Sequence, residues 1–138
     1  MGLRKILVAD SANVTQFVLE RILGQNDFQV LYVKYARDLV VQVKEIMPDL
    51  IFLEPEISGG KGQKIVEFLS RQPETMHIPI ILITRIADTK KHLMDQWPNV
   101  RGVIRKPLKS ARIKELIERV EIPNTADLSR LLGRTETG

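Results

Sequence analysis

The sequence predicts an α/β protein, a parallel β-sheet covered by helices on both faces, and three observations lead there. Five short apolar, β-branched runs alternate along the chain with longer segments, most of them carrying apolar residues at helical spacing. The runs are continuously hydrophobic instead of alternating with polar residues, as in strands buried on both faces. All of this fits within about 120 of 138 residues, with no cysteine to staple a smaller fold.

The first strand spans Arg4 to Ala9, and the following helix runs from about Ala12 to Gly24. Val14, Phe17, Val18 and Ile22 form its expected apolar stripe, and Ser11 is its expected N-cap. The second strand is Gln29 to Val33. Its helix, about Arg37 to Met47, is apolar at Leu39, Val40, Val43 and Ile46 and is ended by Pro48, which pushes the residue before it out of the α region. Leu50 to Glu54 is the third strand, followed by a loop from Pro55 to Gly62 and a helix from Gln63 to Arg71. Ile80 to Thr84 is the fourth, followed by a more polar helix at about Asp88 to Gln96. The fifth is Gly102 to Arg105. The last helix, Ser110 to Val120, carries Ile113, Leu116, Ile117 and Val120 at i, i+3, i+4 and i+7. The expected domain is therefore 1–121, with 122–138 as a tail or linker.

Composition narrows the function classes. Without cysteine, zinc knuckles, iron–sulfur clusters and thiol catalysis are excluded. The longest apolar stretch, Ile78 to Ile83, is six residues against the roughly 20 that a bilayer span needs. Arg4 and Lys5 precede only Ile6 to Ala9 before Asp10 intervenes, too short for a secretory core, so the cytoplasm is the expected compartment. The formal net charge is +4, and the excess is local: between Arg101 and Val120 seven cations face two anions. That cluster is a candidate nucleic-acid surface. No aromatic residue follows Trp97 to supply a stacking platform, so a solvated or protein-binding face is preferred. His77 and His92 have no ligand-spaced neighbours. Ser58-Gly59-Gly60-Lys61-Gly62 lacks the glycine spacing and hydroxyl residue of a P-loop and reads as a turn. No nucleophile–base pair is evident, so catalysis is not expected.

Ligands of open parallel sheets bind at the carboxyl ends of the strands. Those ends carry Asp10 and Ser11, Glu54, Thr84 and Lys106, one group for each of four βα units.

With these positions, residues 3 to 121 resemble the receiver domain of two-component response regulators. The likeness is carried by Lys5-Ile-Leu-Val-Ala-Asp10, Pro48-Asp-Leu-Ile-Phe-Leu-Glu54, Ile78-Pro-Ile-Ile-Leu-Ile-Thr84 and Lys106-Pro107-Leu108. It implies a flavodoxin-like (βα)5 doubly wound fold in three αβα layers, strand order 2-1-3-4-5, and a cis bond before Pro107. Receivers bind Mg²⁺ through two acids after the first strand and an acceptor aspartate, which takes a phosphoryl group from a histidine kinase. A Thr/Ser and a Lys recognise that phosphoryl group. By the resemblance, Asp10, Thr84 and Lys106 are retained, Ser11 replaces the second acid, and Glu54 stands at the acceptor position.

Both departures fall on the chemistry. Mg²⁺ demands octahedral oxygen geometry and carboxylate anchors, and Glu54 carries its carboxylate about 1.5 Å further out than aspartate would. In-line phosphoryl transfer does not tolerate an error of that size. Glu54 can instead reach Lys106 and stand in for a charged acceptor. Arg85 occupies a position usually held by a small residue; it either covers the pocket, pairing with Glu54 or Glu56, or points to solvent. Val103 stands where receivers carry a switch aromatic and cannot make its ring rotation. Trp97-Pro98 replaces a small residue and glycine, so that corner should differ in shape.

The resulting expectation is a pseudo-receiver that is not itself phosphorylated, needs no cofactor, and acts by contact with signalling proteins such as a histidine kinase or an output-domain protein. Its contact or homodimer face is the fourth helix, fifth strand and fifth helix, with Arg101, Arg105, Lys109 and Arg112. Two readings stand beside it: a working phosphoacceptor binding Mg²⁺ weakly through Asp10, Glu54 and Glu56, and a nucleic-acid-binding module using Arg101 to Arg119.

Overall fold

The computed structural model describes residues 4–24, 28–85 and 96–120. Five strands, β1 (Arg4–Ala9), β2 (Phe28–Val33), β3 (Leu50–Leu53), β4 (Ile80–Thr84) and β5 (Val100–Arg105), form one sheet in the order β2-β1-β3-β4-β5. Every neighbouring pair is parallel. The helices are α1 (Asn13–Leu23), α2 (Ala36–Ile46), α3 (Gly62–Arg71) and α4 (Ser110–Arg119), with a short helical turn at Ile57–Gly60 before α3. This is the expected flavodoxin-like α/β fold. The helix expected at 88–96, all but its last residue, the boundary near 121 and the tail 122–138 lie outside the described residues.

The period-2 geometry of the strands divides their side chains between two cores. Leu7, Ala9, Ile51, Leu53, Ile80 and Leu82 face α2 and α3, meeting Leu39, Val43, Val66 and Leu69. Ile6, Val8, Phe52, Ile81, Ile83 and Ile104 face the opposite way, onto Leu19 and Leu23 of α1 and Ile113 and Leu116 of α4. α2 ends at Met47, which takes a left-handed conformation (φ 51°) and donates its N–H to the Val43 carbonyl at 2.8 Å, ahead of Pro48.

Three details differ from expectation. First, α1 buries Thr15, Leu19 and Leu23, while Val14 and Phe17 are 64% and 62% exposed. The helix carries two apolar stripes roughly a third of a turn apart, and the one holding both leucines faces the sheet. Second, β5 begins at Val100, two residues early, because a register shift lets Ile80 pair with Val100 and Ile81 with Gly102. Third, Ser11 does not cap α1. Asp10 Oδ1 accepts the Ala12 N–H at 2.8 Å, and the Ser11 hydroxyl is used elsewhere.

Candidate functional site

The carboxyl ends of β1, β3, β4 and β5 converge as expected. Backbone hydrogen bonds hold the site residues to the sheet: the Glu54 N–H donates to the Ala9 carbonyl at 2.9 Å, and the Lys106 N–H to the Thr84 carbonyl at 2.9 Å. The Lys106–Pro107 peptide bond is cis.

Lys106 is the hub. Its Nζ lies 2.9 Å from Asp10 Oδ2, 3.2 Å from Asp10 Oδ1 and 3.1 Å from Glu54 Oε2. Asp10 is fully buried, and the side chains of Glu54 and Lys106 are 12% and 9% exposed. The other Glu54 oxygen, Oε1, accepts from the Ser11 hydroxyl at 3.0 Å and the Ser11 N–H at 3.2 Å. That is why Ser11 is not a cap. A hydrogen bond to a buried carboxylate is stronger than one between neutral groups, so the hydroxyl turns toward Glu54.

Burial alone would push the Glu54 carboxyl up. The amide and hydroxyl of Ser11 together with the Lys106 ammonium outweigh it and hold the group below its ordinary value. Glu54→Gln is accordingly expected to cost about 2 kcal/mol at neutral pH. The folded-state value lies below the unfolded one, so the contribution of the ionised carboxylate is fully present above the unfolded value of about 4.3. It disappears as pH falls through the lowered folded value. Urea unfolding of both proteins at pH 7 and about pH 3.5 should show the stability gap closing on the acid side.

Glu56 has a role that the sequence did not disclose. Thr84 Oγ1 donates to Glu56 Oε1 at 2.8 Å, and the Arg85 N–H approaches the same oxygen at 3.5 Å. The reason lies in the tight connection after β3, where the Ile57 N–H bonds the Glu54 carbonyl (3.1 Å) and the Gly62 N–H the Pro55 carbonyl (3.2 Å). This folds the segment over the end of β4. A glutamate two residues past a strand is no signal by itself; the turn that aims it is tertiary. Ser58 (φ 52°), Gly59 (φ 76°) and Gly60 (φ 92°) all take left-handed conformations there, and Ser58 Oγ accepts the Ala36 N–H at the start of α2.

The Arg85 side chain is exposed, makes no ion pair with Glu54 or Glu56, and lines a groove together with Lys106, Val14, Val18 and Leu108. Val103 is buried in the core that faces α2 and α3. Arg101, Arg105 and Lys109 are exposed, whereas Arg112 is half-buried and pairs with Glu115 at 3.4 Å. β5 is an edge strand, and exposed cations on it oppose pairing with another sheet. His77 is exposed, and His92 lies outside the described residues. Trp97 is half-buried against the first core with the Arg71 guanidinium 5.6 Å from its ring.

Receivers place Mg²⁺ among these acids, and the residues present here do not fit the ion in this arrangement. One ammonium lies against both Asp10 and Glu54, Glu54 Oε1 is taken by Ser11, and Glu56 Oε1 by Thr84. Among the described residues no group of three or more His, Asp or Glu side chains is disposed to hold a metal ion. Nor is any helix among them long and apolar enough to cross a membrane.

The response regulator receiver domain family matches residues 6–118. The phosphate regulon transcriptional regulatory protein PhoB of Klebsiella pneumoniae is 29% identical over 124 residues, covering 87% of this chain and 54% of that protein. Protein PilH of Pseudomonas aeruginosa is 22% identical over 116 residues, 84% of this chain and 96% of PilH. This chain spans about half the length of the PhoB proteins it matches. Among solved structures, chemotaxis response regulator CheY4 of Vibrio cholerae superposes with a TM-score of 0.77 at 18% identity, covering 86% of this chain and 98% of that one. The receiver domain of sensor histidine kinase PA1611 from Pseudomonas aeruginosa, whose structure has a magnesium ion coordinated in the active-site cleft, gives 0.74 at 21% identity, covering 86% and 97%. Fold and family match agree: the chain belongs to the response regulator receiver domain family, the signalling modules of two-component systems.

Proposed function

We propose that this chain is a pseudo-receiver, a two-component signalling module that is not phosphorylated and works through protein contacts. The observation that carries it is Glu54 at the acceptor position, bound on one oxygen by Ser11 and on the other by Lys106. The two residues that would recognise a phosphoryl group are both engaged by carboxylates: Lys106 by Glu54 and Thr84 by Glu56. Together the two glutamates supply anionic oxygens where the phosphoryl oxygens would go, with less charge than a phosphate carries. Valine at position 103 and the absence of the second acid at Ser11 fit the same reading. Residues 1–121 form the module and 122–138 a tail or linker. Its site in the cell is the cytoplasm, and its partners are a histidine kinase, an output-domain protein or a second copy, met through 88–96, β5 and α4.

The test is incubation with a small phosphodonor and Mg²⁺, followed by intact mass. The wild type should gain no mass, and a stoichiometric gain of one phosphoryl group on Glu54 would refute the proposal. The variant with both Glu54→Asp and Ser11→Asp should recover Mg²⁺ binding by calorimetry, because it restores three carboxylates at aspartate reach. If it binds no Mg²⁺, the two substitutions are not what disables the site.

A further inference from the structure

On the face away from α1 and α4, helices α2 and α3 leave an open groove of about 510 Å³ between them. Its floor is apolar, formed by Val40, Ile65 and Phe68, and its rim carries Arg37, Lys61 and Lys64. No acidic residue lines it. The nearby acids point elsewhere or are engaged: Asp38 lines a separate groove with Tyr32 and Val41, and Glu67 pairs with Arg71 at 3.0 Å. A fourth cation, Lys44, lies 5.3 Å from the Phe68 ring. Lys61 and Lys64 are exposed and belong to no ion pair among the described residues.

We infer that this groove is a docking site for an acidic segment of a partner protein, one that carries large apolar side chains between its carboxylates. Charge complementarity selects the sign of the partner, since three rim cations face no anion. The floor selects its class. A nucleic acid would answer the cations with phosphates and leave the half-buried Val40 and Phe68 uncovered, whereas leucine or phenylalanine side chains would cover them. The volume lies in the range of sites that accept a few side chains. None of residues 101–119 lines the groove, and α4 packs on the opposite face of the sheet, so the two basic surfaces are separable.

The probe is a synthetic, labelled peptide of about twelve residues in which Glu alternates with Leu and Phe, titrated against the full chain by fluorescence anisotropy and by amide NMR shifts. Binding should perturb residues 35–44 and 58–68 and leave 101–119 unmoved. The pair Lys61→Glu and Lys64→Glu should weaken it at least tenfold. A peptide with Lys in place of Glu, and one of Glu alone, should each bind at least tenfold more weakly than the probe. Shifts that map to 101–119, equal binding of the Lys peptide, equal binding by the Glu-only peptide, no effect of charge reversal, or no binding would each overturn the inference. So would a DNA duplex that displaces the peptide from the groove. If the reversed pair does not fold, Lys61→Ala with Lys64→Ala gives the same reading with a smaller loss. Phosphorylation at Glu54 bears on none of these outcomes.

Discussion

Lys106→Met should lose about 3–5 kcal/mol of stability at neutral pH, the largest effect expected of any single substitution at the site. The side chain is only 9% exposed and, among the described residues, supplies the ammonium lying against both Asp10, which is fully buried, and Glu54. Methionine keeps most of the volume, so packing changes little and the loss is electrostatic. Two carboxylates would remain in a water-poor pocket, Glu54 with only Ser11 and Asp10 with only the Ala12 N–H. Without the ammonium, less opposes the effect of burial on the Glu54 carboxyl, and its folded-state pKa rises relative to the wild type. The deficit should therefore shrink as pH falls and Glu54 protonates, whereas the loss in an ordinary core mutant does not depend on pH. Urea unfolding of wild type and variant at pH 7, 5 and about 3.5 checks both magnitude and sign; a pH-independent loss would assign the role of Lys106 to packing.

Gly62→Ala is expected to cost about 3 kcal/mol, near the upper end for overpacking. A Cβ there would stand 2.7 Å from the Glu54 carbonyl oxygen and 2.7 Å from Pro55 Cα, both backbone atoms that cannot swing aside. Gly62 opens α3 directly beneath the segment that carries Glu54 and Glu56. Relief of the clash must move that segment and with it both carboxylates. The variant should then show a second signature that a remote destabilising change would not: shifts of the Ser11 amide and the Thr84 resonances, whose partners are Glu54 and Glu56.

Much of this molecule was legible in its sequence because the signals were local. Continuous apolar strands gave the sheet, and Pro48 marked the end of α2 to within a residue. The convergence of Asp10, Glu54, Thr84 and Lys106 followed from one rule about strand ends. The features missed are those that tertiary competition decides. Which of two apolar stripes on α1 faces the sheet depends on the partner surface, and Leu19 and Leu23 prevailed over Val14 and Phe17. Ser11 had a local task as a cap and a distant one at Glu54, and a carboxylate 43 positions away took it. Glu56 reaches Thr84 only because the chain turns back through Gly62. The early start of β5 was hidden by an irregularity in its pairing.

Val103, to which the receiver resemblance assigns the place of an aromatic reporter, is interior and 7% exposed. A short branched side chain packed on all sides has a single resting place, so nothing at that point can swing outward and repaint the β5 surface. On the pseudo-receiver reading proposed above, a partner meeting β5 would therefore find one unchanging surface, and its affinity there would carry no on–off component from this position.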